Sequence, residues 1–192
     1  MKLFVFDNFG VVMNELSFIW QSKHLHSDEE LNRRGEIGHE ADEGKISMGE
    51  MFRKYGEMID ESGEQVESEW RSTVQVDWAV IDIVRQLRAQ GEKVVMFSNA
   101  TSEMLRDYLA NFGILDDFDT VFISSEMSCA KPDSESFLYV CREMGVEPHE
   151  ALMIDDRELN VKGAEAVGMK VIHFTDAESL KKRLIDESLL KV

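Results

Sequence analysis

Cysteines, long apolar runs and export signals are scarce in this sequence. The two cysteines, Cys129 and Cys141, are too few for a disulfide framework and lack a CxxC spacing, so we expect free thiols in a reducing compartment. No apolar run approaches the roughly 20 residues that a membrane span needs. The opening MKLFVFD also lacks the charged lead, apolar stretch and cleavage site of a secretion signal. We therefore expect a cytoplasmic protein with no membrane partner.

Positive charge is also in short supply. The formal net charge is -17, from 38 acidic and 21 basic residues, which disfavours nucleic acid and anionic membrane surfaces as partners. Repeats and low-complexity segments are absent, and the only prolines are Pro132 and Pro148. The length of 192 residues and the apolar content of 43% allow a real core, and they suit one domain with a modest insertion.

Helical and strand patterns alternate from residue 79 onward. Val80, Ile83, Val84 and Leu87 repeat at helical spacing before Gly91, and the buried strand KVVMFSN follows. The cycle recurs, with strands predicted at 120–125, 151–155 and 170–174 and helices at 101–112, 134–144, 158–167 and 177–189. This alternation predicts an α/β fold, a Rossmann-like parallel sheet with helices on both faces.

The strand pattern disappears between the first strand and residue 79. There, a helical stripe stands among charged residues, formed by Met48, Met51, Phe52, Tyr55 and Ile59. We therefore predict a sheet domain built from residues 1–13 and 80–192, with a helical insertion, or cap, at residues 14–79. Acidic side chains outnumber basic ones in this insertion, so an anionic substrate would need a local cation there.

Polar side chains stand at the predicted carboxyl ends of the strands, where parallel sheets place their functional crevice. They are Asp7 after the first strand, Ser98 and Asn99 after KVVMF, Lys131 in the loop after TVFISS, and Asp155 with Asp156 ending ALMID. Each alone is an ordinary turn residue, but together they suit phosphoryl transfer. Asp7 can attack phosphorus and share a magnesium ion with Asp156. Ser98 and Lys131 can hold the phosphoryl oxygens.

Four motifs, in order along the chain, resemble those of the haloacid dehalogenase-like hydrolase superfamily. They are FVFDNFG, VVMFSNA, AKPDSESF and MIDDRELNVKGA, and they cover the whole predicted core. The stretch EADEGKISMGEMF resembles the small helical cap of that superfamily. The sequence looks most similar to the branch that holds bacterial sugar-phosphate phosphatases and the phosphatase domain of soluble epoxide hydrolases.

The resemblance implies a role for each strand-end residue. Asp7 would be the nucleophile, and Ser98 and Lys131 would hold the phosphate of a small phosphorylated metabolite. Asp156 would bind Mg²⁺, with Asp155 in support. The implied activity is magnesium-dependent hydrolysis of small phosphate monoesters through an aspartyl-phosphate intermediate.

Two asparagines have less definite roles. Asn160 stands where many relatives place another acid, so the resemblance gives it a supporting role only. Asn99, next to Ser98, would either bind the phosphate or cap the helix that starts near Thr101.

Phe9 departs from the pattern of the superfamily's phosphatases. They usually carry a second aspartate two residues after the nucleophile, which protonates the leaving oxygen and then activates water. A phenyl ring does neither, although the backbone carbonyl of Phe9 could still bind magnesium. General acid–base help is typically worth about 10²–10⁴-fold in rate, so a large loss is expected unless another group substitutes.

Three functions stay open at this point. The first is a phosphatase whose acid comes from elsewhere, such as one of the insertion histidines His24, His26 and His39. The second is a metal-independent 2-haloacid dehalogenase, because those relatives also carry an aromatic residue and then glycine after the nucleophile. Arg33 or Arg34 could then anchor the substrate carboxylate. The third is a non-catalytic binding protein that keeps the pocket.

The acid pair Asp155 and Asp156 separates the first two functions. Displacement at carbon by a carboxylate uses no metal, and an unneeded acid pair near an anionic substrate would weaken binding. Phosphoryl transfer, by contrast, needs the magnesium that these acids would hold. The pair therefore favours a phosphatase.

The missing aspartate leads to a testable expectation. If Phe9 has removed the acid that assists the leaving group and the attack of water, activated aryl phosphates should react faster than alkyl phosphates, because a good leaving group needs little protonation as its bond breaks. Phe9→Asp is then expected to raise alkyl-phosphate turnover more than aryl-phosphate turnover, measured by phosphate release. Folding is checked first, since loss of a buried ring can cost about 3–5 kcal/mol. A folded variant with no gain on any ester would mean that another residue supplies the acid or that the site serves binding.

Overall fold

A computed structural model describes residues 1–191, and within them one five-stranded parallel sheet organises the chain. The strands are β1 (Leu3–Phe6), β2 (Lys93–Ser98), β3 (Thr120–Ile123), β4 (Ala151–Asp155) and β5 (Lys170–His173). Their order across the sheet is β3-β2-β1-β4-β5, so β1 lies at the centre. The predicted α/β fold with a parallel sheet is confirmed.

Both faces of this sheet are buried. Along β1, Phe4 and Phe6 belong to one apolar cluster, and Leu3 and Val5 belong to another. Successive side chains of a strand point to opposite faces, so these two clusters lie on the two sides of the sheet. This explains why the strands read as continuous apolar runs rather than as an apolar and polar alternation.

Helices connect the strands and cover both faces. After the insertion they are α5 (Trp78–Ala89), α6 (Ser102–Asn111), α7 (Ser124–Met127), α8 (Ser134–Met144), α9 (Glu158–Ala166) and α10 (Ala177–Asp186). Short 3-10 turns occur at Leu115–Asp117 and Pro148–Glu150. Throughout residues 1–191, every helix is too short or too polar to span a bilayer.

Between β1 and α5 the chain is helical, as predicted. The helices are α1 (Leu16–His24), α2 (Asp28–Asp42), α3 (Met48–Glu57) and α4 (Gly63–Thr73). A serine precedes each of α2, α3 and α4, and its side chain accepts a hydrogen bond from the backbone N–H three residues later. The predicted stripe forms the buried face of α3, except that Ile59 lies beyond the end of that helix.

An aromatic cluster packs these helices together. It contains Trp20, Phe52, Tyr55 and Trp70. The ring centroid of Tyr55 lies 5.2 Å from that of Trp20 and 6.0 Å from that of Trp70. The cluster is continuous with the apolar side chains of the sheet. Because one interior joins the two parts, the division at residues 14–79 stays a prediction.

The strand predicted over TVFISS was too long. β3 ends at Ile123, and Ser124 begins the short helix α7. The hydroxyl of Ser124 accepts a hydrogen bond from the backbone N–H of Ala100, and the hydroxyl of Ser125 accepts one from that of Ser102. The two serines therefore hold the loop that follows β2 and do not extend the sheet.

Other sequence predictions need little change. The last helix, α10, ends at Asp186 rather than at residue 189. Within the described residues, Cys129 and Cys141 are both free thiols, as predicted.

Gly163 of α9 provides a test of how the fold holds the Lys131 loop. A Cβ atom at Gly163 would lie 2.4 Å from the carbonyl oxygen of Pro132 and 2.9 Å from the ring of Phe137. We expect Gly163→Ala to destabilise the protein by about 1–3 kcal/mol, the usual cost of overpacking, as measured by urea denaturation.

Gly35 is the matched control. It also lies within a helix, but a Cβ atom there would meet nothing within 4 Å. Gly35→Ala should stabilise the protein by about 0.5–1 kcal/mol, because alanine loses less backbone entropy on folding than glycine. Equal stabilities for the two variants would contradict the close packing of α9 on the loop.

Candidate functional site

The ammonium group of Lys131 lies at the centre of the strand-end cluster. Its Nζ atom is 2.6 Å from Oδ1 of Asp7 and 2.8 Å from Oδ2 of Asp155, and it donates a 2.9 Å hydrogen bond to the carbonyl oxygen of Phe97. Asp7 follows β1, Asp155 ends the neighbouring strand β4, and Phe97 lies in β2 on the other side. The parallel sheet thus brings together residues that are far apart in the sequence.

Burial shapes the charges of this group. It raises the pKa of Asp7, against the pull of the Lys131 ammonium. Burial also works to lower the pKa of Lys131, but the carboxylates of Asp7 and Asp155 outweigh it and raise that pKa. Lys131 therefore carries its charge, and the Asp7 carboxylate is poorly solvated and held by a single cation. A carboxylate stripped of water in this way is a suitable nucleophile.

Asp155 acts as the anchor of the cluster. Besides Lys131, it accepts hydrogen bonds from the side-chain amide of Asn160 at 3.0 and 3.1 Å and from the backbone N–H of Arg157 at 2.9 Å. Its side chain is fully buried. These contacts engage both oxygens of the carboxylate, so Asp155 orients Lys131 and Asn160 orients Asp155.

The side chain of Asn99 contacts the backbone of Lys131, and its predicted role in phosphate binding stays a prediction. Its side-chain amide donates to the backbone carbonyl of Lys131 at 2.7 Å, and its side-chain oxygen accepts from the backbone N–H of Lys131 at 2.9 Å. The residue that precedes α6 is Thr101, so the predicted helix cap at Asn99 was wrong. Asn99 instead fixes the backbone on which Lys131 is mounted.

Several buried polar atoms have no hydrogen-bond partner among the described residues. They include Oγ of Ser98, both side-chain polar atoms of Asn8, and Oδ1 of Asp156. An unsatisfied buried polar group costs about 1–3 kcal/mol, so such atoms collect where a ligand binds. Ligand oxygens of Asp7, Asp155 and Asp156 also lie within 4.8 Å of one another. This set of hard oxygen donors fits a divalent cation such as magnesium.

Gly10 allows Asp156 to reach the cluster. A Cβ atom at Gly10 would lie 2.3 Å from Oδ2 of Asp156, and its φ of +91° is one that other residues rarely adopt. Gly10 lies within a turn in which the backbone N–H groups of Val11, Val12 and Met13 donate to the carbonyl oxygen of Asn8. Burial raises the pKa of Asp156 to about 6, with help from the nearby charges of Asp155 and Glu15.

A cavity of about 310 Å³ opens above the cluster, between the strand ends and the inserted helices. From the strand ends and their loops it is lined by Asp7, Phe9, Asn99, Thr101, Lys131, Arg157 and Asn160. From the inserted helices it is lined by Glu15, Leu16, Arg34, His39, Asp42, Met51, Tyr55 and Trp70. Ser98 and Asp155 are fully buried beneath this lining.

Of the insertion histidines and arginines that the sequence offered as candidates, some line the cavity and others do not. Arg34 and His39 line the cavity. Arg33 instead points toward Glu36, and both side chains are exposed. Nε2 of His24 lies 2.9 Å from the carboxylate of Glu69, and the His24 ring packs at a tilt against Trp20. His26 is exposed and does not line the cavity.

Sequence reasoning missed Asn8, Glu15, Asp42 and Arg157. The signals for Asn8 and Arg157 were their places beside Asp7 and Asp156 in the motifs. Glu15 and Asp42 carry no local signal, because only the packing of α1 and α2 over the strand ends brings them to the cavity.

Comparison with known proteins identifies this arrangement. The sequence model of the haloacid dehalogenase-like hydrolases matches residues 1–168. The chain belongs to this haloacid dehalogenase-like hydrolase family. The resemblance drawn from the four motifs is thereby confirmed, whereas the type of cap and the branch stay predictions.

Curated relatives of the chain include phosphatases. The sesquiterpene phosphatase of Aspergillus oryzae is 28% identical over 137 residues, which are 70% of this chain and 70% of that protein. A flavin mononucleotide hydrolase of Arabidopsis thaliana is 48% identical over 56 residues, which are 29% of this chain and 23% of that protein. The chain thus spans most of the first relative and less than a quarter of the second.

A solved structure shares almost the whole fold. A family enzyme from Bacteroides thetaiotaomicron, in a magnesium complex, is 26% identical with a TM-score of 0.77, covering 95% of this chain and 98% of that one. A mutant of it, in complex with magnesium and inorganic phosphate, is 25% identical with a TM-score of 0.75, covering 94% and 98%. The protein is therefore a haloacid dehalogenase-like hydrolase with phosphatase relatives.

Proposed function

We propose that this hydrolase cleaves small phosphate monoesters, with magnesium, through an aspartyl phosphate on Asp7. The observation that carries the proposal is the poorly solvated Asp7 carboxylate, which lines the cavity while Lys131 holds it from below. A carboxylate placed this way can attack a phosphoryl group that enters the cavity. The phosphatase relatives and the magnesium and phosphate complexes of the Bacteroides enzyme support the assignment.

The chain's own groups can receive the phosphoryl oxygens. The Lys131 ammonium sits beside Asp7, and the Ser98 hydroxyl is buried without a partner among residues 1–191. Both are donors, so they would hold the oxygens of a phosphoryl group bound at Asp7. Asn99 and Asp155 keep Lys131 in place during the reaction through its backbone and its ammonium group.

Asp7, Asp156 and the backbone carbonyl of Phe9 would hold the magnesium ion, with Asp155 behind them. The unpartnered Oδ1 of Asp156 and the close carboxylate oxygens fit such an ion. Magnesium supplies charge neutralisation, which lets a phosphate approach the carboxylates. Burial raises the pKa of Asp156 to about 6, and the charges of Asp155 and Glu15 add a repulsion that a cation would relieve.

The cavity wall indicates the kind of leaving group. Tyr55, Trp70 and Met51 present buried apolar surface, while the guanidinium of Arg34 lies 5.9 Å from the ring centroid of Tyr55. Arg34 supplies the local cation that an anionic substrate needs within the acidic insertion. We therefore propose a small phosphorylated metabolite whose organic part has an apolar face.

The carboxylate cluster favours phosphoryl transfer over displacement at carbon. A 2-haloacid dehalogenase would use Asp7 and could use Arg34 for the substrate carboxylate, but it has no need of Asp156. An uncompensated acid beside an anionic substrate would weaken binding. The intact set of Asp7, Lys131 and Asp155 likewise speaks against a protein that only binds.

The metal assignment can be tested by calorimetry. We expect Mg²⁺ to bind the parent protein and to bind Asp156→Ala substantially more weakly, because that variant loses an oxygen ligand and a charge. Glu158→Gln is the control, since Glu158 is exposed and pairs with Lys162. Equal affinity for the parent and Asp156→Ala would overturn the assignment.

The nucleophile can be tested by Asp7→Asn. Asparagine is nearly isosteric and cannot form the acyl phosphate, so phosphate release from esters should be abolished while circular dichroism shows an intact fold. Turnover that survives in this variant would require another nucleophile. Chloride release from 2-haloacids by the parent protein in chelator would instead support the dehalogenase.

A further inference from the structure

In the proposed reaction, no residue has yet been assigned to protonate the leaving oxygen. In a phosphoryl transfer the attacking and leaving oxygens lie roughly in line, so the leaving oxygen is on the side of phosphorus away from Asp7. Phe9 lines the cavity close to the nucleophile but has no proton to give. A replacement acid must therefore reach the part of the cavity away from Asp7, where the inserted helices form the wall.

Asp42 occupies such a position. It is the last residue of α2, and it lines the same cavity as Asp7 and Lys131. Its place is fixed by Gly44, where a Cβ atom would lie 2.8 Å from the carbonyl oxygen of Ser125. Ser125 belongs to α7, directly after β3, so the end of α2 is seated on the edge of the sheet that carries the site.

The surroundings of Asp42 suit proton transfer near neutral pH. Burial raises its pKa to about 7, and the end of a helix also disfavours a negative charge. Four positive or titratable groups oppose this shift, namely Arg34 and His39 from its own helix, and Arg157 and Lys131 from the loops of the sheet. Both the acid and the carboxylate forms are therefore accessible, as a group that donates and then accepts a proton requires.

Two other titratable side chains that line the cavity are less suitable as the general acid. His39 is exposed, and its ring lies 3.3 Å from the carboxylate of Glu43. Glu15 accepts a hydrogen bond from the hydroxyl of Ser17, and its charge acts on Asp156. Asp42, by contrast, combines a position on the side of the inserted helices with a partly buried carboxyl group next to the cationic side chains of the cavity wall.

We propose that Asp42 is the general acid and base of this hydrolase, in place of the residue missing at Phe9. The inference rests on the proposed phosphoryl transfer through Asp7. In the first step Asp7 bonds to phosphorus, the phosphorus–oxygen bond of the ester breaks, and Asp42 gives its proton to the departing alcohol oxygen. In the second step water attacks phosphorus, Asp42 takes a proton from it, and the bond to Asp7 breaks to release inorganic phosphate.

The test compares two esters that differ mainly in leaving group, 4-nitrophenyl phosphate and 4-nitrobenzyl phosphate. In Asp42→Asn, we expect kcat/KM for the benzyl ester to fall by about 10²–10⁴-fold, the usual worth of general acid catalysis. For the aryl ester we expect less than about a tenfold change, because nitrophenolate leaves without a proton. The phosphorylated protein should also accumulate in acid-quenched samples, since water attack has lost its base.

The pH profile gives an independent readout. In the parent protein, kcat/KM for the benzyl ester should fall as the pH rises through about 7, because only the protonated form of Asp42 can donate. This limb should be missing from Asp42→Asn. Asp42→Glu keeps a carboxyl group and should restore part of the benzyl activity and part of the limb.

Two variants of α2 serve as comparisons. Glu40→Gln makes the same carboxylate-to-amide change on a residue that pairs with Lys54 and does not line the cavity, so it should leave the ratio of the two esters unchanged. His39→Gln tests whether His39 is the proton donor instead of Asp42. A selective loss on the benzyl ester in His39→Gln, and not in Asp42→Asn, would overturn the proposal.

The remaining outcomes separate this inference from the proposed function. Equal loss on both esters in a folded Asp42→Asn protein, or no loss on either, would overturn the role of Asp42 while Asp7-dependent hydrolysis stood. Hydrolysis that survives Asp7→Asn would overturn the phosphoryl transfer itself, and the acid–base role with it.

Discussion

The ion pairing of Lys131 with Asp7 and Asp155 is the interaction on which the rest of the site depends. A buried charge is tolerated only when it is paired and hydrogen-bonded, and removal of one partner of a buried pair typically costs about 3–5 kcal/mol. Here the ammonium group is almost inaccessible and has two carboxylates and the carbonyl of Phe97 around it. Three neighbouring strands must therefore keep their register for the Lys131 ammonium to stay paired, so the site and the sheet stabilise each other.

A second requirement is that the inserted helices stay seated over the strand ends. Their aromatic cluster continues into the apolar layer of the sheet, so the cavity has buried walls on both sides. Close approaches of the backbone, at Gly44 to Ser125 and at Gly163 to Pro132, also fix the segments around the cavity. In both places a glycine lets two segments approach more closely than a side chain would allow, and each contact lies within two residues of a group that faces the cavity.

The electrostatics of the cavity follow from an excess of acidic groups close to the proposed phosphate site. Asp7, Asp155 and Asp156 lie within 4.8 Å of one another, in a protein whose formal net charge is -17. Lys131 offsets part of the charge from below, and Arg34 and Arg157 contribute positive charge along the cavity wall. The Oδ1 atom of Asp156 has no hydrogen-bond partner among residues 1–191, and the proposed magnesium ion would add positive charge there.

The sequence by itself determined the parallel α/β fold, the helical character of the insertion and the positions of Asp7, Ser98, Lys131 and the acid pair. Those features depend on local periodicity and on the rule that parallel strands end at one edge of a sheet. Only the tertiary structure decided that Asn99 holds the backbone of Lys131, that Ser124 ends β3, and that Arg34 and Asp42 reach the cavity while Arg33 and His24 do not. The reason is that a helical pattern tells which face is apolar. Which polar residues of α1 and α2 reach the cavity depends on how those helices dock onto a distant part of the chain.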